Sequence, residues 1–130
     1  MKFVQTTKAP SAIGPYSQAV VVNEMVYTSG QIALTPAGGD ELLREDVAIQ
    51  TVRVLENLQA VLEEAGSSMQ KVIKTTIFLA DMDSFAVVNK IYEEAFGTHK
   101  PVRSTVAVKT LPKNALVEID AVALLNDYSY

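Results

Sequence analysis

The chain has 130 residues, of which 48% are hydrophobic and 20% are charged, and its net charge is −4 with a pI near 4.9. This length and balance predict one globular domain over residues 1–130. The acidic balance, with no lysine- or arginine-rich run, makes nucleic acid an unfavourable partner. Cysteine is absent, and no apolar stretch approaches the roughly 20 residues that span a bilayer. We therefore expect a cytoplasmic protein without disulfides, thiolate chemistry or a membrane segment.

The first part of the chain alternates β-rich runs with turns. Strands are predicted over residues 2–5, 18–22 and 25–32. Two prolines and a glycine indicate a loop over residues 9–15, and Asn23-Glu24 indicates a tight hairpin turn.

The middle of the chain carries two helical patterns around one strand. Apolar residues recur at three- and four-residue steps over residues 46–65, which predicts a first helix. The β-branched run over residues 72–80 predicts a strand. A second helix, with Asp81 or Asp83 as its cap, presents an apolar face over residues 85–96.

The last part predicts two strands joined by a turn. Alternation over residues 102–108 and 116–124 is typical of strands, and residues 111–114 form the turn between them. Glu118 and Asp120 fall on the same face of the last strand, because side chains in a strand alternate between its two faces.

The resulting order is β-β-β-α-β-α-β-β, an α+β domain. Because strands outnumber helices, we expect both helices to cover one face of a single mixed sheet. No part of so short a chain is left to cover the other face, so the sequence predicts self-association through that face.

An arginine and a glutamate on the last two strands are the strongest candidates for chemistry. If these strands form a hairpin around residues 112–113, Arg103 and Glu118 lie on the same face near one end. A guanidinium matches a carboxylate with two parallel hydrogen bonds, and a carboxylate beside a cleft can hold or activate water. The alternative is that Arg103 and Glu118 pair with each other or face water.

Five further residues have a functional and a plain structural interpretation. Tyr16 follows a stiff turn and could cap a pocket or simply pack. Gly30, after Ser29, marks either a close approach to a ligand or a bulge. Asn89 could line a site or be an ordinary polar position on a helix. His99, the only histidine, is expected to be an exposed or capping loop residue, and without a second histidine or a cysteine we expect no metal site.

Several segments together resemble a known family. Residues 101–106 read Pro-Val-Arg-Ser-Thr-Val, and Leu-Pro-Lys at 111–113 and Ala-Leu-Val-Glu-Ile at 115–119 follow them. The other matching segments are residues 12–19, 26–32, 50–51 with 54–58, 65–68, 74–82, and 88–89 with Tyr92. In this order they resemble the Rid (reactive intermediate deaminase) family, also called the YjgF family, over about residues 9–124.

The resemblance implies a fold and an activity. The fold would be chorismate-mutase-like, in a homotrimer whose sheets pack into a central barrel with active sites between subunits. The activity would be hydrolysis of enamine and imine intermediates, such as 2-aminoacrylate and 2-iminobutanoate, to 2-keto acids and ammonia. The implied mechanism needs no cofactor, and the partners would be small 2-imino or 2-keto carboxylic acids.

The resemblance also implies residue roles. Arg103 would bind the substrate carboxylate, and Glu118 would orient the attacking water or relay its proton. The remaining pocket residues would be Tyr16, Ser29, Gly30, Ile32, Asn89 and the backbone of Thr105. Many relatives carry a glycine just before the first helix, where this chain has Leu43-Arg44-Glu45-Asp46. A different shape of the loop there could alter access to the pocket if the loop lies at the rim.

Three other functions stay open at this point. The same pocket could bind a 2-keto acid as a regulatory signal without turnover. Family members are also described as translation inhibitors with ribonuclease activity, but the acidic balance and the lone histidine disfavour an RNA substrate. A chaperone-like role is neither supported nor opposed by the sequence.

Overall fold

The computed structural model describes residues 1–125; residues 126–130, the end of the predicted single domain, lie outside the described part. It contains six strands and two α-helices in the predicted order. The strands are β1 (Lys2–Val4), β2 (Ala19–Val22), β3 (Met25–Thr28), β4 (Val72–Leu79), β5 (Val102–Ala107) and β6 (Val117–Leu124). The helices are α1 (Val47–Glu64) and α2 (Phe85–Phe96).

The strand β3 is shorter than predicted. It ends at Thr28, and the chain beyond it returns to the sheet only at an isolated bridge between Gln31 and Ile119. Between these points Ser29 donates from its backbone N–H to the Gln18 carbonyl and from its hydroxyl to the Ser17 carbonyl. These bonds hold residues 29–30 away from the ladder of β6.

The two last strands do not form the expected hairpin. The sheet order is β1-β2-β3-β6-β4-β5, so β4 lies between β5 and β6. Strand β5 pairs parallel to β4, whereas every other pair is antiparallel. Parallel neighbours require a crossover connection, and α2 supplies it between β4 and β5. The turn at Pro112–Asn114 then takes the chain to the other side of β4.

Both helices lie on one face of the sheet, as predicted. Asp46 caps α1 by accepting from the Ile49 N–H, and Gly66 follows the helix with a positive φ of 93°. The core contains buried residues of both helices and the alternating residues of β6 that face them: Val117, Ile119, Ala121 and Ala123.

Two buried amides connect α1 to loops. Asn57 donates from Nδ2 to the carbonyls of Ile32 and Leu34, at 3.1 and 2.9 Å. Gln50 donates to the carbonyls of Leu43 and Glu45, and its Oε1 accepts from the N–H of Leu116, the residue just before β6. Both side chains have no exposed surface. They supply hydrogen-bond donors to loop carbonyls that lie outside the helices and the sheet.

The second face of the sheet, which we call the open face, carries no helix. The strand register places one residue from each strand in a row across it: Phe3, Val20, Tyr27, Val122, Lys74 and Val102. Phe3 and Val102 are 68% and 67% exposed, and Tyr27 is 45% exposed. Five of the six residues are apolar or aromatic, so the row is suited to contact with another protein surface.

Candidate functional site

The predicted site residues fall into two groups on opposite faces of the sheet. Arg103 pairs in register with Thr75 of β4, and Glu118 pairs with Phe78 of the same strand. Because Thr75 and Phe78 are three residues apart, their side chains point to opposite faces, and so do those of their partners. The expectation that Arg103 and Glu118 share a face is therefore wrong. It rested on the hairpin, which the insertion of β4 prevents.

Glu118 lies on the open face, in close contact with Gly30. A Cβ added to Gly30 would lie 2.7 Å from the Glu118 Cδ and still closer to one carboxylate oxygen. A side chain at position 30 would therefore displace the carboxylate. The glycine after β3 is therefore explained by the close approach of Glu118 to the backbone. The two interpretations predicted for it were a bulge and a close approach to a ligand, and the approach of a side chain of the same chain was not predicted.

A cavity of about 540 Å³ lies beside this contact. It contains five of the predicted site residues, namely Tyr16, Ser29, Gly30, Ile32 and Glu118. The loop over residues 10–13, together with Gln18, Gln31, Leu34, Pro112 and Lys113, completes its wall. Residues 43–46 line neither this cavity nor the one beside Arg103 described below.

Gln18 organises the loop that forms this cavity, and the sequence interpretation missed it. Its Oε1 accepts from the Thr6 N–H at 2.7 Å, and its Nε2 donates to the carbonyls of Thr6 and Pro10 at 3.1 and 2.8 Å. Only 2% of the residue is exposed. A glutamine at the first position of a predicted strand looks like a polar surface residue, and its place in the segment Ser17-Gln18-Ala19 was the one available signal.

The surroundings of the Glu118 carboxyl favour its protonated form more than full exposure to solvent would. Partial burial raises the pKa of the Glu118 carboxyl above its ordinary value of 4.5, and the negative charge of Asp120 adds to that rise. Among residues 1–125, no hydrogen bond or ion pair satisfies the Glu118 carboxylate. The group can therefore accept a proton or hold a water molecule in the cavity.

Arg103 lies on the face that the helices cover, against α2. Its Nη1 donates to the Asn89 Oδ1 at 2.8 Å. The guanidinium carbon lies 4.9 Å from the centre of the Tyr92 ring and 5.6 Å from that of Phe85. Within residues 1–125, no carboxylate forms an ion pair with Arg103. Neutral groups thus hold a guanidinium whose charge is left available to an anion.

Tyr92 is fixed from behind by a buried hydroxyl pair. Its OH lies 2.7 Å from the Oγ1 of Thr75, which has no exposed surface. Burial raises the pKa of Tyr92, while Thr75 and Arg103 act in the opposite direction. The hydroxyl pair thus fixes the Tyr92 ring on the side away from Arg103.

Thr105 shares the face of Arg103. It pairs with Ile77, which packs into the core, and its Oγ1 is buried without a hydrogen-bond partner among the described residues. Thr105 lines neither the cavity of Glu118 nor the smaller one of about 180 Å³ that Arg103 and Asn89 border. Its predicted role through the backbone stays a prediction.

His99 has a structural role. Its Nε2 lies 2.6 Å from the carbonyl oxygen of Val72 and donates to it, which fastens the loop after α2 to the start of β4. Within the described chain, no group of histidine, aspartate and glutamate side chains could hold a metal ion. No helix of the described residues has the length and apolar character needed to cross a membrane.

Comparisons with known proteins agree on one family. Residues 6–125 match the family described as Endoribonuclease L-PSP. The 2-iminobutanoate/2-iminopropanoate deaminase of Mus musculus is 45% identical over 95% of this chain and 90% of its own length. A Lactococcus lactis protein named as a candidate regulator is 46% identical over 95% of this chain and 97% of its own.

A solved structure extends the comparison. The crystal structure of a Rid-family protein of Yersinia pestis superposes with a TM-score of 0.90 at 48% identity, covering 95% of this chain and 98% of that one. The family resemblance and the α+β fold predicted from sequence are thus confirmed.

Proposed function

Because the chain belongs to the Rid family, we propose that it is a cytoplasmic deaminase that hydrolyses short 2-imino acids to 2-keto acids and ammonia. The Mus musculus relative that carries this activity in its name supports the proposal. The substrates are 2-aminoacrylate, through its imine form, and 2-iminobutanoate.

The state of Arg103 is the observation that carries the proposal. Its guanidinium is held by an amide and two aromatic rings, without a neighbouring carboxylate. An arginine buried on an ion pair would be structural, whereas this one keeps its charge and most of its N–H donors for a ligand. A small carboxylate fits such a group with two parallel hydrogen bonds.

Glu118 supplies the second requirement of the reaction. A water held by its carboxylate adds to the imine carbon while Glu118 accepts a proton from that water. The proton then passes from Glu118 to the nitrogen, which gives a carbinolamine. The remaining hydroxyl proton moves to the same nitrogen through Glu118, so the C–N bond breaks, ammonia leaves and the carbonyl forms. Imines hydrolyse readily, so orientation of the water and the carboxylate is the main contribution required of the protein.

The two faces must meet between chains for this reaction to occur. One chain places Arg103 and Glu118 on opposite faces of its sheet. We propose a homotrimer in which the open faces form a central barrel and each site combines Arg103 and Asn89 of one subunit with Glu118, Tyr16 and the Ser29–Ile32 segment of its neighbour. The exposed apolar row of the open face supports this arrangement.

A coupled assay tests the activity. A pyridoxal-phosphate-dependent threonine dehydratase generates 2-iminobutanoate, and release of 2-oxobutanoate is followed with the wild-type protein, with Arg103→Ala and with neither. We expect the wild type alone to accelerate release. Turnover of Arg103→Ala near that of wild type would contradict the role of Arg103.

A regulatory function is the second candidate, favoured by the name of the Lactococcus lactis relative. In this case the protein would bind a 2-keto acid without turnover. Calorimetry that finds 2-oxobutanoate bound, together with no acceleration in the coupled assay, would favour the regulator over the enzyme.

A further inference from the structure

The guanidinium of Arg103 is held by a layered contact that the family resemblance does not assign. The Tyr92 ring lies under the guanidinium, and Phe85 flanks it more distantly. Behind Tyr92, the Phe96 ring packs with its centre 4.5 Å away and its plane tilted by 37°. The arginine is thus the outermost member of a stack that continues into the core.

Tyr92 cannot easily change its own position in this stack. Only 7% of it is exposed, and its hydroxyl forms a hydrogen bond with the buried Thr75 of β4. Thr75 is also the residue that pairs in register with Arg103. Thr75 therefore contacts both parts of the arrangement: it pairs with the strand that carries Arg103, and it binds the hydroxyl of the ring under the guanidinium.

We propose that Tyr92, anchored by Thr75, is a positioning residue that sets the plane of the Arg103 guanidinium for the carboxylate of the substrate. This inference rests on the proposed function. Asn89 occupies one N–H from the side, and the aromatic face fixes the tilt, so the remaining N–H groups keep one direction. A neutral support suits this task, because a carboxylate in its place would compete with the substrate for the same charge.

The first test observes the arginine itself and needs no ligand. The chain has three arginines, Arg44, Arg53 and Arg103, so their side-chain Nε–Hε signals are few, and Arg103→Lys assigns the relevant one. We expect the Arg103 signal to show an upfield ring-current shift in wild type and in Tyr92→Phe. In Tyr92→Leu the signal should remain, but without this shift. An Arg103 signal that is the same in wild type and Tyr92→Leu would overturn the proposal.

The second test measures the consequence for binding. We expect Tyr92→Leu to weaken 2-oxobutanoate binding and raise KM by about 2- to 30-fold, the range that corresponds to one cation–π contact. The value of kcat should change less than KM, because the carboxylate is bound equally in the ground and transition states. Tyr92→Phe keeps the ring under the guanidinium but loses the hydroxyl bond to Thr75, so its binding should lie between that of wild type and that of Tyr92→Leu.

Two controls separate positioning from general loss of packing. Val88→Ala removes buried methyl groups from the same helix and leaves the Tyr92 ring and Arg103 unchanged, and its affinity should equal that of wild type. In Arg103→Lys, which lacks the planar group, Tyr92→Leu should cost less than about twofold. Equal losses in both backgrounds would overturn the proposal. A wild type that neither binds 2-oxobutanoate nor accelerates imine hydrolysis would contradict the proposed function, and the NMR result would still decide whether Tyr92 positions Arg103.

Discussion

The surroundings of Arg103 and those of Glu118 are built in different ways. Arg103 is held by side chains of one regular element, α2, with the covered face of the sheet behind it. Glu118 lies on the open face against Gly30, in a cavity whose wall is mostly loop. The first is a rigid support for a charge. The second is a cavity whose shape depends on hydrogen bonds that fix loops. The difference is what the proposed site between subunits requires, with substrate binding on one subunit and water activation on its neighbour.

We expect the largest loss of activity when the Glu118 carboxylate in the cavity is neutralised. We expect Glu118→Gln to lower kcat by about 10²- to 10⁴-fold, the range for loss of a general base, while 2-oxobutanoate still binds to Arg103. Steady-state kinetics and calorimetry on the same preparation check both statements. A variant with unchanged kcat would show that Glu118 has no part in the reaction.

The pH dependence of Glu118 follows from the direction of its pKa. Because the pKa is raised above 4.5, wild-type activity should rise with pH through that raised value, and Glu118→Gln should lack this limb. The stabilising contribution of a raised carboxyl pKa is present below 4.5 and is lost as pH rises through the folded-state value. Glu118→Gln should therefore be at least as stable as wild type at pH 7, so unfolding would not explain its loss of activity.

The loops around the cavity should depend on Gln18. Gln18→Leu leaves the Thr6 N–H and the Thr6 and Pro10 carbonyls without their partner. We expect a loss of about 2–4 kcal/mol in the free energy of unfolding, since an unpaired buried polar group costs about 1–3 kcal/mol. Urea unfolding measures this. Gln59→Leu on the exposed side of α1 is the control, and an equal loss in both variants would contradict the role of Gln18.

The contact between Gly30 and Glu118 gives the smallest of these effects. Gly30→Ala should displace the carboxylate and lower kcat by about 10- to 100-fold, as a misplaced catalytic group does. Gly39→Ala is a matched control, because its Cβ would also meet a glutamate, the exposed Glu41 outside the cavity. A change in kcat of the same size in both variants would argue against a special role for Gly30.

The sequence was sufficient for the elements but not for their partners. Periodicity placed both helices and the last two strands, since it records which side of each element is apolar, and β-rich runs of residues placed the first four strands. Strand pairing depends on the crossover through α2, which carries β5 to the far side of β4, and nothing local at Pro112–Asn114 records this. The face of Arg103 then follows from its register with Thr75, which alternation within β5 cannot give.

For the site, too, the sequence could predict the residues but not how they are grouped in space. The family resemblance supplied the residues, and the structure grouped those on the cavity side together with Glu118. Gln18, Asn57 and Tyr92 were not assigned these functions, because each resembles a common surface or core position in sequence. Their importance comes from distant backbone groups and from Arg103, which only the folded chain brings near.

Mixing two inactive variants tests most directly whether the site is shared between subunits. Arg103→Ala and Glu118→Gln chains are unfolded together, refolded at equal amounts and assayed for 2-iminobutanoate hydrolysis beside each variant refolded alone. If a site takes Arg103 from one subunit and Glu118 from its neighbour, about a quarter of the sites in random trimers contain both intact residues. We predict activity near a quarter of wild type in the mixture. Activity no higher than that of the separate variants, in mixed oligomers verified by mass spectrometry, would contradict the shared site.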